Sequence, residues 1–326
     1  MSIRKHHFNP IRWMPTVHAR RPAIASIALL AVVTALAHCD SSNPPTSQPA
    51  TTASLRVSVA IPPQVYFVKR IGGDRVSVHA VLSAGQSHGA FDPSPKQMAL
   101  LAGSRVFFRI GVGFEGPLLR KLADVSPQTE IVDTRDGIEL LRLAEHGHDD
   151  EHDHDEDHVC GDSELDPHIW LDPVLVKTQA RTICAALSRL EPANADEFRR
   201  NLAAFEVELD ELDSRIAETL KPYGGRMLIV FHPSFAYFCR RYELSQLVIE
   251  TAGKEPGPRR ISDLIKSARK AGTKVVFAQE EYSAAGAQAV AEAIGGRVVR
   301  LAPMSADWAA NLLGMTEAIA AGFQPS

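Results

Sequence analysis

Aromatic residues are scarce in this 326-residue chain, at 6%, and its four cysteines never fall into a CxxC pair. The missing pair excludes a thiolate zinc ribbon and a dithiol redox motif. No HExxH occurs, which removes the best-marked metallopeptidase reading. The longest apolar run, Ala23 to Ala37, is too short to span a bilayer comfortably. Five basic side chains and no acid lie in residues 1–38, so the rest carries −9 against −4 for the whole chain; eight of those charges fall between Glu145 and His158. The remaining body is near neutral and has no basic stripe, so nucleic acid is not expected as a partner.

What is present begins with a basic tail, Arg4, Lys5, Arg12, Arg20 and Arg21, ahead of that apolar run. Residues 1–38 therefore read as a signal peptide. The run stops at Leu36-Ala37-His38-Cys39 and resembles a lipoprotein signal, which makes Cys39 the expected site of lipidation; His38 stands where a small residue is usual. Residues 39–54, rich in serine and proline, suit a flexible tether. The expected location is outside the cytoplasmic membrane, in the periplasm or on that membrane's outer face, with a lipid or other N-terminal anchor as the only membrane contact. An oxidising compartment permits one disulfide among Cys160, Cys184 and Cys239 without choosing the pair.

From Leu55 onward, strand patterns alternate with helix patterns: strands at 55–60, 75–82 and 105–110, helices at 64–71, 94–102, 114–123 and 174–190. A long helical pattern follows from Pro192 to Lys221, with Phe198, Leu202, Phe205, Leu209, Leu212, Ile216 and Leu220 spaced by threes and fours. A second α/β series then begins at Met227, with strands at 227–231, 247–250, 274–278 and 297–301 and helices at 260–271, 284–294 and 307–321. The expected fold is two α/β lobes, each with a mostly parallel sheet and flanking helices. Their boundaries are 55–191 and 223–326, with residues 192–222 as one long linking helix and 145–160 as a histidine-rich acidic loop. Such sheets bind ligands beyond the carboxyl ends of their strands.

Of thirteen histidines, four precede Cys39, and His146, His148, His152, His154 and His158 lie in the acidic loop. His79, inside a strand pattern, reads as a satisfied core or surface residue. His88, His168 and His232 each sit at a strand end or a proline-marked corner, spread over both halves of the chain. Imidazoles arriving from separate loops can take three corners of a zinc tetrahedron. The loop histidines form a second, weaker set that reads as a solvated charge run able to hold metal.

Several segments together resemble the solute-binding proteins of zinc and manganese ABC transporters. They include Ile61-Pro62-Pro63, the histidine loop before Asp92-Pro93, Gly111-Val112-Gly113-Phe114-Glu115 and Asp166-Pro167-His168-Ile169-Trp170-Leu171-Asp172-Pro173. They continue through Phe231-His232 with Tyr237-Phe238, Glu255-Pro256 and Phe277 to Ser283. The similarity runs from about Leu55 to the C-terminus, and an acidic histidine-rich insertion is typical of the zinc members.

The resemblance implies a metal in the cleft between lobes, held by His88, His168 and His232. It also implies a monomer with a permease and an ATPase as partners, and no enzymatic activity. Many members supply a fourth ligand from an aspartate in a Leu-Asp-Pro segment; here that stretch is Leu301-Ala302-Pro303. The fourth position then falls to Glu280, Glu281 or a water. Three imidazoles favour Zn2+ over Mn2+, which prefers oxygen donors. The alternatives are a manganese-binding homologue, a zinc buffer or adhesin-like lipoprotein, and a three-histidine zinc hydrolase. Because binding needs neutral imidazoles, affinity is expected to fall as pH drops through about 6.5.

Overall fold

Two parallel sheets of four strands each frame the protein, in strand orders β2-β1-β3-β4 and β6-β5-β7-β8. The structure is a computed structural model that describes residues 54–88, 91–143, 165–250 and 254–324. The first sheet comprises β1 (Leu55–Val59), β2 (Val76–Ala80), β3 (Val106–Arg109) and β4 (Glu130–Asp133). Helices α1 (Pro62–Gly72), α2 (Pro95–Ala102), α3 (Glu115–Val125) and α4 (Pro173–Leu190) accompany it. The second comprises β5 (Met227–Val230), β6 (Ser245–Val248), β7 (Val275–Gln279) and β8 (Arg297–Leu301).

Between the sheets in sequence runs α5 (Ala195–Leu220), 26 residues long, with single 3-10 turns at 192–194 and 221–223. At 1.5 Å per residue it spans about 39 Å. Its period-3.6 face buries Phe198, Phe205, Leu209, Leu212, Ile216 and Leu220. That face packs against α1 and α4 from the first half and against α9 (Trp308–Phe323) from the second. Helices α6 (Ala236–Arg241), α7 (Pro258–Lys270) and α8 (Ala285–Ala293) complete the second half.

Strand alternation divides the second sheet between two cores. In β5 and β7, Leu228, Val230, Val275 and Phe277 join the large core that also holds α5, α9 and the first sheet. Ile229, Val276 and Ala278 point the other way, into a smaller cluster with Leu264 and Ala268 of α7 and Val290 of α8. A two-residue period thus covers both faces with helices, as a parallel sheet requires. One apolar cluster runs unbroken from the first sheet to the second.

The Gly111-Val112-Gly113-Phe114-Glu115 segment has a structural role. The buried Glu115 carboxylate accepts from the Ile110 and Gly111 amides at 2.8 Å each and from Arg109 Nε at 3.1 Å. Gly111 has φ +88°, and a Cβ there would meet the Arg135 guanidinium at 2.3 Å, so only glycine fits. His79 is half-buried, and its Nε2 lies 2.8 Å from Ser58 Oγ on the neighbouring strand. Cys184 and Cys239 are both buried free thiols, so neither joins the disulfide that the cysteine count allowed. Cys39, Cys160 and the histidines of the acidic loop lie outside the described residues.

Candidate metal centre

The two Asp-Pro corners around His168 do different work. Asp166 Oδ1 accepts from the His168 amide at 2.9 Å and from its ring Nδ1 at 2.6 Å, which ties the backbone and the ring of His168 to one oxygen. Asp172 caps α4 by accepting from the Val174 amide at 2.8 Å, with Pro173 at the first helical position where no amide is needed. The segment is held from the other half of the chain as well: Tyr237 donates its hydroxyl to the Asp166 carbonyl at 2.8 Å. Trp170 donates its indole N–H to the Pro303 carbonyl at 2.9 Å.

His232 leaves the second sheet two residues past the end of β5, and Glu250 leaves two residues past the end of β6. Because Val230 pairs with Val248, equal offsets bring the two side chains together. His232 Nδ1 stands 2.9 Å from Glu250 Oε1. Gln279, the last residue of β7, fixes the backbone of His232: its amide accepts from His232 N at 3.1 Å and donates to His232 O at 2.7 Å. Tyr282 stacks on the imidazole at 4.5 Å and 19°. His88 arrives from the loop after β2 and is 9% exposed.

These three histidines meet. Their ring centroids form a nearly equilateral triangle with sides of 5.1, 5.2 and 5.3 Å. One ligand atom from each lies within 4.8 Å of the others, and no further group joins that cluster among the described residues. His88 Nε2 and His168 Nε2 are 3.2 Å apart. Two imidazole nitrogens bound to one tetrahedral zinc at about 2.05 Å stand about 3.3 Å apart. The carboxylates at Nδ1 of His168 and His232 select the tautomer whose Nε2 carries the lone pair. The Nε2 of His232 is buried with no hydrogen-bond partner among the described residues, an orphan that a cation would satisfy.

Burial holds the pKa of His88 well below the ordinary histidine value, and the neighbouring His168 and His232 push it further down. His232 is also lowered, first by burial, against the pull of Glu250. Both rings are thus kept neutral, the form that binds metal. The cavity they share offers about 10 Å³ to the centre of a water-sized sphere and is lined also by Trp170, Gln279, Glu281 and Met304. A space of that size holds one small particle.

Of the carboxylates expected for the fourth position, only Glu281 lines the cavity. Its Oε2 is buried without a partner, and burial raises its pKa. Glu280 is exposed and does not line the cavity. Ala302, where the resemblance looked for an aspartate, sends its carbonyl to Asn311 Nδ2 at 2.8 Å.

Asp166, Glu250 and Gln279 were not singled out from the sequence as site residues. Asp166 sits in the most distinctive motif and carried the available signal; the other two carried none. Replacing Glu250 by alanine is expected to weaken zinc binding by about 10–100-fold, since a carboxylate at the far nitrogen orients the ring and raises its basicity. Glu250→Gln, which still accepts a hydrogen bond, should lose less. Competition against a chromophoric chelator measures both, and an unaltered affinity for Glu250→Ala would remove this carboxylate from the site.

Residues 57–322 match the protein family described as "Zinc-uptake complex component A periplasmic". The chain belongs to this family. A crystal structure of ZnuA is 37% identical and superposes with a TM-score of 0.75, covering 82% of this chain and 99% of its own. A zinc-bound ZnuA deletion mutant shares 36% identity at the same TM-score of 0.75, over 84% and 99% of the two chains. The high-affinity zinc uptake system protein ZnuA of Bacillus subtilis (strain 168) is 26% identical over 266 residues, 80% of this chain and 82% of its own. For a zinc-uptake component, the three-histidine cluster is the feature of this structure that meets the chemistry the family name requires.

Proposed function

We propose that this zinc-uptake family member binds one Zn2+ in the cleft and delivers it to the permease of an ATP-driven importer. His88, His168 and His232 are the ligands in this reading, and Glu281 takes the fourth position. The observation that carries it is the convergence of three imidazoles from both halves of the chain, two of them braced by carboxylates, on a space for one ion. Nitrogen donors with a single carboxylate favour Zn2+ over Mn2+. The ion is cargo in this reading, as the description of the zinc-uptake family implies. The protein acts as a monomer anchored outside the cytoplasmic membrane through lipid on Cys39. Its lobes span residues 55–191 and 223–326, and residues 192–222 link them.

The pH dependence tests the site. His88 and His232 have pKa values below 6.5 in the folded protein, so protons compete with zinc only below the range where a free imidazole titrates. Affinity should therefore hold from pH 7.5 to about pH 6.5 and fall at lower pH, later than free histidines near 6.5 would give. The metal-free protein has a related dependence. A depressed folded-state histidine pKa supplies stability above about pH 6.5 that is lost as pH falls, because the unfolded chain takes up protons first. Calorimetric zinc titration at pH 7.5, 6.5 and 5 should give one tight site with that profile. Equal affinity at all three values would sink the three-histidine site.

A further inference from the structure

A second cavity, of about 610 Å³, opens at the amino-terminal edge of the second sheet, the end away from the histidines. Arg226, Lys274 and Arg297 line it, and the other lining residues include no carboxylate. Arg226 precedes β5, Lys274 precedes β7 and Arg297 opens β8, so three adjacent strands each present one cation at nearly the same level. Neighbouring strands stand about 4.8 Å apart, which places the row within about 10 Å.

None of the three makes an ion pair or a side-chain hydrogen bond among the described residues, although Arg70, Arg75, Lys121, Lys177, Arg181, Arg189 and Arg241 each pair with a carboxylate. Arg226 is half-buried, its guanidinium lies 5.3 Å from the Phe323 ring centroid, and its Nε is buried with no partner.

Helix ends explain part of this arrangement. Helices α7, α8 and α9 all finish at this edge, at Lys270, Ala293 and Phe323. Each C-terminus presents about half a negative charge, so three of them offset only about half of three full positive charges. Lys274 and Arg297 are exposed and Arg226 is half-buried, so this surplus faces a concave, solvent-accessible space where an anion can meet it.

We propose that this cavity is a binding site for a phosphate group. Two guanidiniums and an ammonium give the planar donors and the point charge that phosphate recognition uses, and a dianion matches the surplus. The group can belong to a free phosphate or to an anionic lipid headgroup.

Titration of inorganic phosphate into the zinc-free full chain, at a constant ionic strength of about 0.15 M to hold screening fixed, tests the first source. Sedimentation with phosphatidylglycerol vesicles, against phosphatidylcholine, tests the second. Saturable binding to phosphate assigns a soluble anion, and binding to phosphatidylglycerol alone assigns the headgroup; either upholds the site. Arg226→Gln and Arg297→Gln should each weaken the binding by about tenfold, the loss of one charge-assisted contact. The triple variant with Lys274→Gln should abolish it. Zinc affinity at the distant histidines should stay unchanged in every variant, which separates loss of this site from misfolding and from any failure of the zinc reading. No binding to either probe, or binding that the triple variant retains, overturns the proposal.

Discussion

Replacing His168 by alanine should weaken zinc binding by more than the roughly 10–100-fold that loss of an outer-shell partner costs. This residue is 1% exposed and doubly tied to Asp166, so its ring reaches the three-histidine cluster already oriented. Its removal leaves two imidazoles, with nothing to restore the third corner of the tetrahedron. The fold should survive, because the apolar contacts of this segment belong to Ile169, Trp170 and Leu171, all fully buried. The neighbouring glutamates provide an internal scale. Glu281→Gln should cost less than the histidine, since water can replace one carboxylate oxygen at zinc. Glu280→Gln should cost nothing, because that side chain faces solvent. Calorimetry on the three variants gives the ranking. A His168→Ala protein that binds zinc as tightly as the parent would dismantle the site, and a loss at Glu280 equal to that at Glu281 would remove the fourth-ligand assignment.

What could be read from the amino-acid order follows from how local each signal is. The strands β1, β5, β7 and β8 and the helix α5 were legible because a two- or 3.6-residue apolar period needs only near neighbours. Strand β4 was missed: it has four residues at a sheet edge, and Glu130 and Asp133 bracket its apolar pair. Helix α6 was missed because six residues barely complete its period.

The strand expected at residues 247–250 lies at Ser245–Val248. That two-residue shift concealed Glu250, which reads as a strand residue in one register and as a loop carboxylate beside His232 in the other. His88, His168 and His232 stood out because proline and glycine mark the corners that carry them. Gln279 bears no comparable mark. Its role depends on a neighbouring strand 47 residues away, and a polar side chain ending an apolar run looks the same whether it clamps a backbone or faces water.

Trp308 links the two halves of the chain, and Trp308→Ala should expose that link. The Trp308 indole is 1% exposed, meets Phe67 edge-on at 4.9 Å, and donates to the Trp170 carbonyl at 2.8 Å. Trp170 in turn donates to Pro303 and lies 5.1 Å from the His168 ring. Helix α1, helix α9 and the turn carrying His168 are therefore tied through two indoles.

Truncating Trp308 should destabilise the protein by about 3–5 kcal/mol, the range for buried aromatic-to-alanine changes. For a chain of this size that lowers the melting temperature by roughly 10 °C. Trp308→Phe keeps most of the ring and strands the Trp170 carbonyl, so its cost should be nearer 1–3 kcal/mol. Saturating zinc should recover part of the loss in both variants, because it binds only the folded chain. If the indoles hold the His168 turn in place, Trp308→Phe will also weaken zinc binding, although the substituted ring does not line the metal cavity. Melting unchanged in Trp308→Ala would show that the contact between the two halves rests elsewhere, on the apolar face of α5.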